Sequence, residues 1–173
     1  MTDGELGGIC LGWWRELTNK EIGRSRADLA RLRRAHGPAE ALAIRAVHRL
    51  NTRLAAAGHD LRQRPERLAL IAMTLAQVKE PTAASLASRM GRGEPKALSE
   101  IRFTALIQTR DAEDLSTPLR RALMATGQAA NVARLASDLY RWNDRTRAAW
   151  CFDYYGAPDA APEADLTFEE TEA

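Results

Sequence analysis

Arginine is the one residue type in this sequence whose abundance and spacing could do chemistry. Of 25 basic residues only Lys20, Lys79 and Lys96 are lysine, which leaves 22 arginines. A guanidinium is a planar fork of donors that fits phosphate oxygens two at a time. A high-GC genome also favours arginine codons, so the spacing says more than the count. Arg45, Arg49 and Arg53 recur every four residues, nearly opposite the apolar stripe Ala43, Val47, Leu50, Leu54 and Ala57. Arg26, Arg33 and Arg34 fan around the side of a helix whose inner face carries Leu29, Leu32 and Ala35. Arg134 and Arg141 lie seven apart, opposite Val132, Leu135 and Leu139. Apart from Asp28, the first two of these faces hold few acids of their own. Two readings fit. One is a set of solvated faces with i, i+4 ion pairs, each contributing only about 0.3–0.5 kcal/mol. The other is a groove that follows a phosphate backbone without reading its sequence.

Other chemistry finds little support. There is no Gly-rich phosphate loop, no Walker lysine and no nucleophile elbow. His36, His48 and His59 are too far apart to share a helical face at i, i+4, and read as surface or cap residues. The two cysteines, Cys10 and Cys151, are remote in sequence and read as reduced thiols. No enzyme, metal or cofactor is expected. A sharper rival is a helix-turn-helix DNA-binding regulator. The stretch TAASLASRMGRGEPKALSEIRFTALI (82–107) has Ala87-x-x-x-Gly91 between two helical patterns. The second of these patterns is apolar around most of its surface, whereas a recognition helix must offer several polar side chains to base edges.

The elements that must position the arginines read as helices. No alternating strand run and no Asn-Gly or Asp-Gly hairpin turn is present. The first helix is expected over 6–17, with the adjacent Trp13 and Trp14 about 100° apart, one in the core and one at a seam. Ser25-x-x-Asp28 resembles a capping box. Pro38 and Pro65 open helices at their first turn, and Gly37, Gly58 and Gly91 close others. The densest mixture of apolar residues and arginine runs from Leu98 to Arg121. There a helix with Leu98, Ile101 and Ala105 on one face and Phe103 and Ile107 on another is expected in the middle of the bundle. Arg102 lies within it, so it must be paired or must reach an anion. Thr117-Pro118 is expected to start the next helix, with Arg120 on its flank and Arg121 outward. Asn131 caps the one after, and Asn143-Asp144 interrupts or restarts it.

The expected fold class is all-α, a helical bundle of about eight or nine helices in two lobes. The lobes are residues 1–91 and 92–156, joined by a hinge at Gly91-Arg-Gly-Glu-Pro95. A disordered acidic tail is expected over 157–173. That tail holds six acids and no base; residues 1–156 hold 25 basic against 17 acidic residues, a net of +8. A basic body points to an anionic partner. No window approaches 18 apolar residues, and the first residues lack a signal peptide's basic and apolar regions, so a cytoplasmic chain is expected.

The ordered blocks resemble a known family. Trp13-Trp14-x-x-Leu17 and Ala27-x-Leu-Ala-x-Leu-Arg-Arg-Ala35 are similar to the N-terminal part of CasB, the small subunit of the type I-E CRISPR surveillance complex, Cascade. Leu98-Ser-Glu-x-Arg-Phe-x-x-Leu-Ile107 resembles the family's central signature, and Leu119-Arg-Arg-Ala-Leu123 the next block. Leu135-x-x-Asp-Leu-x-x-Trp142 and Trp150-x-x-Asp-Tyr-Tyr155 resemble its C-terminal end. The resemblance covers about 10–155 and excludes the tail; Cys151 stands where a small residue is expected. It implies two helical parts and a non-catalytic role. It implies two copies lying head to tail in Cascade, against the subunits that hold the CRISPR RNA, with a basic surface that steadies the opened DNA target. For that task the candidate contacts are Arg26, Arg33, Arg34, Arg53, Arg102, Arg110, Arg120, Arg121 and Arg141. Arg102 and Arg120 also fit internal ion pairs.

Overall fold

The computed structural model describes residues 3–158. All but the first two residues of the expected acidic tail lie outside the described residues. Ten helices form within them: α1 (Asp3–Leu17), α2 (Gly23–Arg34), α3 (Pro38–Leu42), α4 (Arg45–Ala56), α5 (Pro65–Ala76), α6 (Leu86–Met90), α7 (Glu100–Gln108), α8 (Ala112–Ala125), α9 (Val132–Tyr140) and α10 (Asp144–Tyr155). Two residue pairs, β1 (Glu80–Pro81) and β2 (Ala129–Ala130), make a short parallel bridge. The all-α expectation holds, with ten helices in place of eight or nine because the helix expected from Pro38 onward forms as two, α3 and α4. Among the described residues no helix is long and apolar enough to cross a membrane.

The centre of the bundle is α5. Every residue from Leu68 to Ala76 is buried, the signature of a helix surrounded on all sides. Its alanines, Ala69, Ala72 and Ala76, have almost no side chain to hold neighbours off, and α1, α2, α3, α4, α8 and α9 all pack against it. The expectation gave that place to α7, which is peripheral. Only Phe103 and Leu106 of α7 are buried, and Ile101 is 84% exposed. Periodicity shows how much of a helix is apolar, but α7 has neighbours, α8 and α10, on one side only.

The first helix lies along α9 and carries both tryptophans into the core. Gly7 permits the approach: a Cβ there would stand 2.7 Å from the Ala133 carbonyl oxygen. Trp13 and Trp14 are both buried, so neither is left at a seam. Their indole N–H groups diverge, Trp13 donating to the Ala46 carbonyl at 2.8 Å and Trp14 to the Val78 carbonyl at 3.2 Å. Buried indoles need such partners. Trp13→Phe leaves the Ala46 carbonyl buried without its donor. We expect a loss of about 2 kcal/mol in chemical denaturation; an unchanged midpoint would show that the bond contributes nothing.

Several boundaries differ from the sequence reading. The capping box at Ser25 is not used: α2 starts at Gly23 after Ile22, and Ser25 is buried. The helix expected from Pro38 onward breaks after Leu42 and restarts at Arg45. Pro118 lies inside α8, which begins at Ala112, so Thr117 is no N-cap. The bond that Pro118 forfeits would reach the carbonyl of Asp114, an exposed residue whose oxygen water can satisfy. Ser85, Ser99, Asn131 and Asn143 do cap α6, α7, α9 and α10 by accepting backbone N–H groups. The lobe boundary expected near residue 91 coincides with the end of α6, and packing crosses it: α1 lies on α9, and α5 on α8 and α9.

Candidate nucleic-acid interface

Three helices meet where α2 ends. Arg33 is half-buried and donates its Nε–H to the Ala76 carbonyl at the end of α5, 2.8 Å away. Burial pushes its guanidinium below the usual arginine range. The Gln77 side chain donates back to the Arg33 carbonyl at 3.3 Å. From α8, Arg120 donates to the Ala35 carbonyl just past α2, at 2.9 Å. Cations on the last carbonyls of a helix satisfy orphan acceptors and suit its dipole. Arg33 and Arg120 are therefore spent on joining α2, α5 and α8.

Their neighbours are not spent. Arg34 is exposed beside this junction and makes no ion pair among the described residues. Arg121 lies about 100° around α8 from Arg120. It faces a cleft between α7 and α8, with Arg102 on the opposite wall and Leu98, Ala105, Leu106 and Pro118 among the lining. The cleft volume is about 160 Å³. Both arginines are exposed and lack an ion pair among the described residues. Arg102 is thus neither buried nor a structural ion-pair partner, because the face it occupies is the outer face of α7. Arg34 adjoins the Ala35 carbonyl that Arg120 holds, and Arg121 and Arg102 face the cleft between α8 and α7; these three exposed arginines are called the belt.

A second group gathers at the α9–α10 turn. Arg110, exposed and just past α7, shares a surface depression with Trp142, Asn143, Arg145 and Arg147. Arg147 pairs with Asp144 in its own helix. Arg145 is exposed and has no ion pair among the described residues. Arg141, also exposed, lies on the far side of that turn with Asp138 and Thr146.

The remaining candidates stand apart. Arg53 pairs with Glu16 of α1, and Arg49 reaches Glu16 at 3.8 Å and Asp28 of α2 at 3.5 Å. The hydrogen bond from Arg53 holds the Glu16 carboxyl below the usual glutamate range. Two of the three arginines of the α4 stripe, Arg49 and Arg53, are therefore paired with acids from other helices, which spacing along one helix does not show, while Arg45 is exposed and has no ion pair among the described residues. Arg26 is exposed on the first turns of α2. The sequence reading missed Arg24 and Arg31, exposed on the same helix, and Arg145 on α10. Arg24, Arg31 and Arg34 fall within about 80° of one another on the wheel. That signal was hidden by starting the helix at Ser25.

The cysteines, the histidines and the α6–α7 region can be placed in turn. Burial pushes the Cys10 thiol up to about 12, away from the thiolate form that reacts. Both cysteines are free. Among the described residues no group of His, Cys, Asp and Glu could hold a metal ion. His48 and His36 are exposed, but His59 is buried edge-on to Tyr140 at 5.4 Å, not a surface residue. The suspected helix-turn-helix consists of a single turn, α6, separated from α7 by residues 91–99. A helix-turn-helix joins its helices through about three or four residues.

Comparisons with known proteins place the fold in a family. The family described as CRISPR-associated protein Cse2 (CRISPR_cse2) matches residues 28–155. The crystal structure of TTHB189, a Cse2 family protein from Thermus thermophilus, superposes with a TM-score of 0.68 at 28% identity, covering 87% of this chain and 98% of that one. A chain of E. coli Cascade bound to a PAM-containing dsDNA target superposes with a TM-score of 0.61 at 19% identity, covering 84% and 93%. No curated protein matches by sequence. With the matched span running from α2 to the end of α10, this chain belongs to the Cse2 family of CRISPR-associated proteins.

Proposed function

We propose that this chain is the non-catalytic small subunit of a type I-E Cascade complex in the cytoplasm. It works beside the other Cascade subunits and a second copy of itself, and steadies the CRISPR RNA–target hybrid and the displaced DNA strand. The observation that carries the reading is the belt of exposed, unpaired arginines, Arg34, Arg121 and Arg102, beside a junction that Arg33 and Arg120 hold rigid. Family membership supports it, as does the fold shared with the E. coli Cascade chain in its target-bound complex.

The physics of the task suits such a belt. Opening a target is near balance, because the RNA–DNA hybrid is about as stable as the duplex it replaces. A few phosphate contacts to the freed strand tip that balance, and they work on any sequence. Arg110 and Arg141 at the α9–α10 turn and Arg26 on α2 are further exposed cations within this reading. Arg33, Arg53 and Arg120 belong to this reading as supports, since their guanidinium groups already hold protein acceptors.

The test is the salt dependence of single-strand binding. Three to five phosphate contacts at about 0.7 each give a slope of roughly −2 to −3.5 in log affinity against log salt. The chain should show that slope equally for scrambled oligonucleotides, and should co-purify with the other Cascade subunits and a guide RNA. A preference for one duplex sequence would favour a DNA-reading regulator. A flat salt dependence with intact co-purification would make the arginines protein–protein contacts.

A further inference from the structure

The cleft between α7 and α8 differs in kind from the other basic surfaces. Its walls are apolar, Leu98, Ala105, Leu106 and Pro118, and its two cations, Arg102 and Arg121, stand on opposite sides. Phosphate alone does not call for such a lining. The complementary ligand has apolar side chains flanked by negative charges. The volume of about 160 Å³ also suits an aromatic ring, since a cavity of about 150 Å³ accepts benzene.

Such a ligand occurs in this chain. Beyond the described residues the sequence runs DAAPEADLTFEETEA, with Leu166 and Phe168 as its only large apolar side chains. Asp165 stands on one side of that pair and Glu169 and Glu170 on the other. The segment also begins in the right place. The end of α10 is pinned to the cleft: the Tyr154 hydroxyl donates to the carbonyl of Leu98, itself a cleft residue, at 2.5 Å. From Pro158 to Asp165 is seven residues, a reach of up to about 24 Å. We infer that the α7–α8 cleft is the docking site of the chain's own segment 165–170, with Leu166 and Phe168 against the apolar walls and the flanking acids on Arg102 and Arg121. The inference rests on the strand-holding reading only for its consequence. The tail then competes with nucleic acid for two arginines of the belt. It raises the salt-sensitive threshold for strand binding, so that only a strand held close by the rest of the complex displaces it.

The full-length chain and its L166S/F168S variant distinguish the outcomes by amide NMR. The core described above is built from residues between Leu6 and Tyr154, and the dispersion of their amide signals checks that both proteins keep the fold. Docking predicts that the amide signals of Ala105, Leu106 and Arg121 move between the two proteins. Changes confined to residues 159–173, or gathered around the exposed Phe152 on α10, would overturn it. The same two proteins are titrated with a single-stranded oligonucleotide at low salt. Freeing both arginines from their acids, at about fivefold each, should tighten binding about 25-fold in the variant. Docking itself needs no nucleic acid, so the cleft amides decide it whatever the oligonucleotide does. If they move and neither protein binds the oligonucleotide, docking stands and the strand-holding function falls.

Discussion

Reversing Arg34, Arg102 and Arg121 to glutamate should weaken single-strand binding about a hundredfold at 0.1 M salt, while leaving the fold intact. The magnitude follows from counterion release. Each phosphate contact on a single strand contributes about 0.7 to the salt exponent, or about fivefold in affinity between 1 M and 0.1 M salt. Three contacts multiply to about a hundredfold, equivalent to about 2.7 kcal/mol. The slope should become shallower by about 2. The new negative charges repel phosphate and make this a lower bound. The fold survives because all three side chains are exposed and none holds an internal acceptor among the described residues. R120E is the contrasting variant. It loses the bond that ties α8 to the Ala35 carbonyl and should lower thermal stability before it alters the salt slope. A triple variant with less than fivefold loss, or with an unchanged slope, would remove the belt from the interface. In the assembled complex the same substitutions should reduce the lifetime of the opened target, which permanganate footprinting of the displaced strand reads directly.

Why the sequence showed some of this and not the rest comes down to where each partner lies. Caps are local: Asn131 and Asn143 each accept a backbone N–H three residues on, so the helix starts they mark could be read directly, while Ser85 and Ser99 cap in the same way without having been singled out. Prolines are ambiguous. Pro65 opens α5 as expected, but Pro118 is carried inside α8 because its lost bond faces solvent. Apolar character does not say on how many sides a helix is covered. Thus α7 looked central and is peripheral, and α5, with its alanines, is the true centre. Ion pairing was the least legible. Arg49 and Arg53 of the α4 stripe looked uncompensated because their acids, Glu16 and Asp28, come from α1 and α2. Arg33 and Arg120 looked like contacts, yet their partners are backbone carbonyls, Ala76 and Ala35, which carry no sequence signal. The ordered blocks nevertheless pointed to the Cse2 family, because a family pattern samples all these long-range constraints at once.

The largest effect on stability is expected at Gly91, the residue expected to act as a hinge. Its φ and ψ, −83° and −6°, are open to any residue, so backbone conformation does not call for glycine there. Space does. A Cβ would stand 2.0 Å from the carbonyl oxygen of Tyr154 and 2.8 Å from its carbonyl carbon. Those are backbone atoms of α10, and α10 is not free to step back. The Tyr154 ring stacks on Phe103 with centroids 3.9 Å apart and planes 4° from parallel. Its hydroxyl holds the Leu98 carbonyl, and Trp150 donates to Asp138 at 2.7 Å. Gly91→Ala must therefore part α6 from α10 or break one of these anchors. Overpacking of this kind costs about 1–3 kcal/mol when side chains can give. Here backbone must give, so about 3 kcal/mol is expected, lowering the melting midpoint by about 6–12 °C. Gly8→Ala is the control: nothing lies within 4 Å of its Cβ position in α1, and alanine there should be neutral or stabilising by about 0.5–1 kcal/mol. Equal midpoints for the two variants would mean that α6 and α10 are not in contact through Gly91. A large loss at Gly91 alone makes this position a rigid seam that fixes where α10 ends and, with it, where the acidic segment leaves the fold.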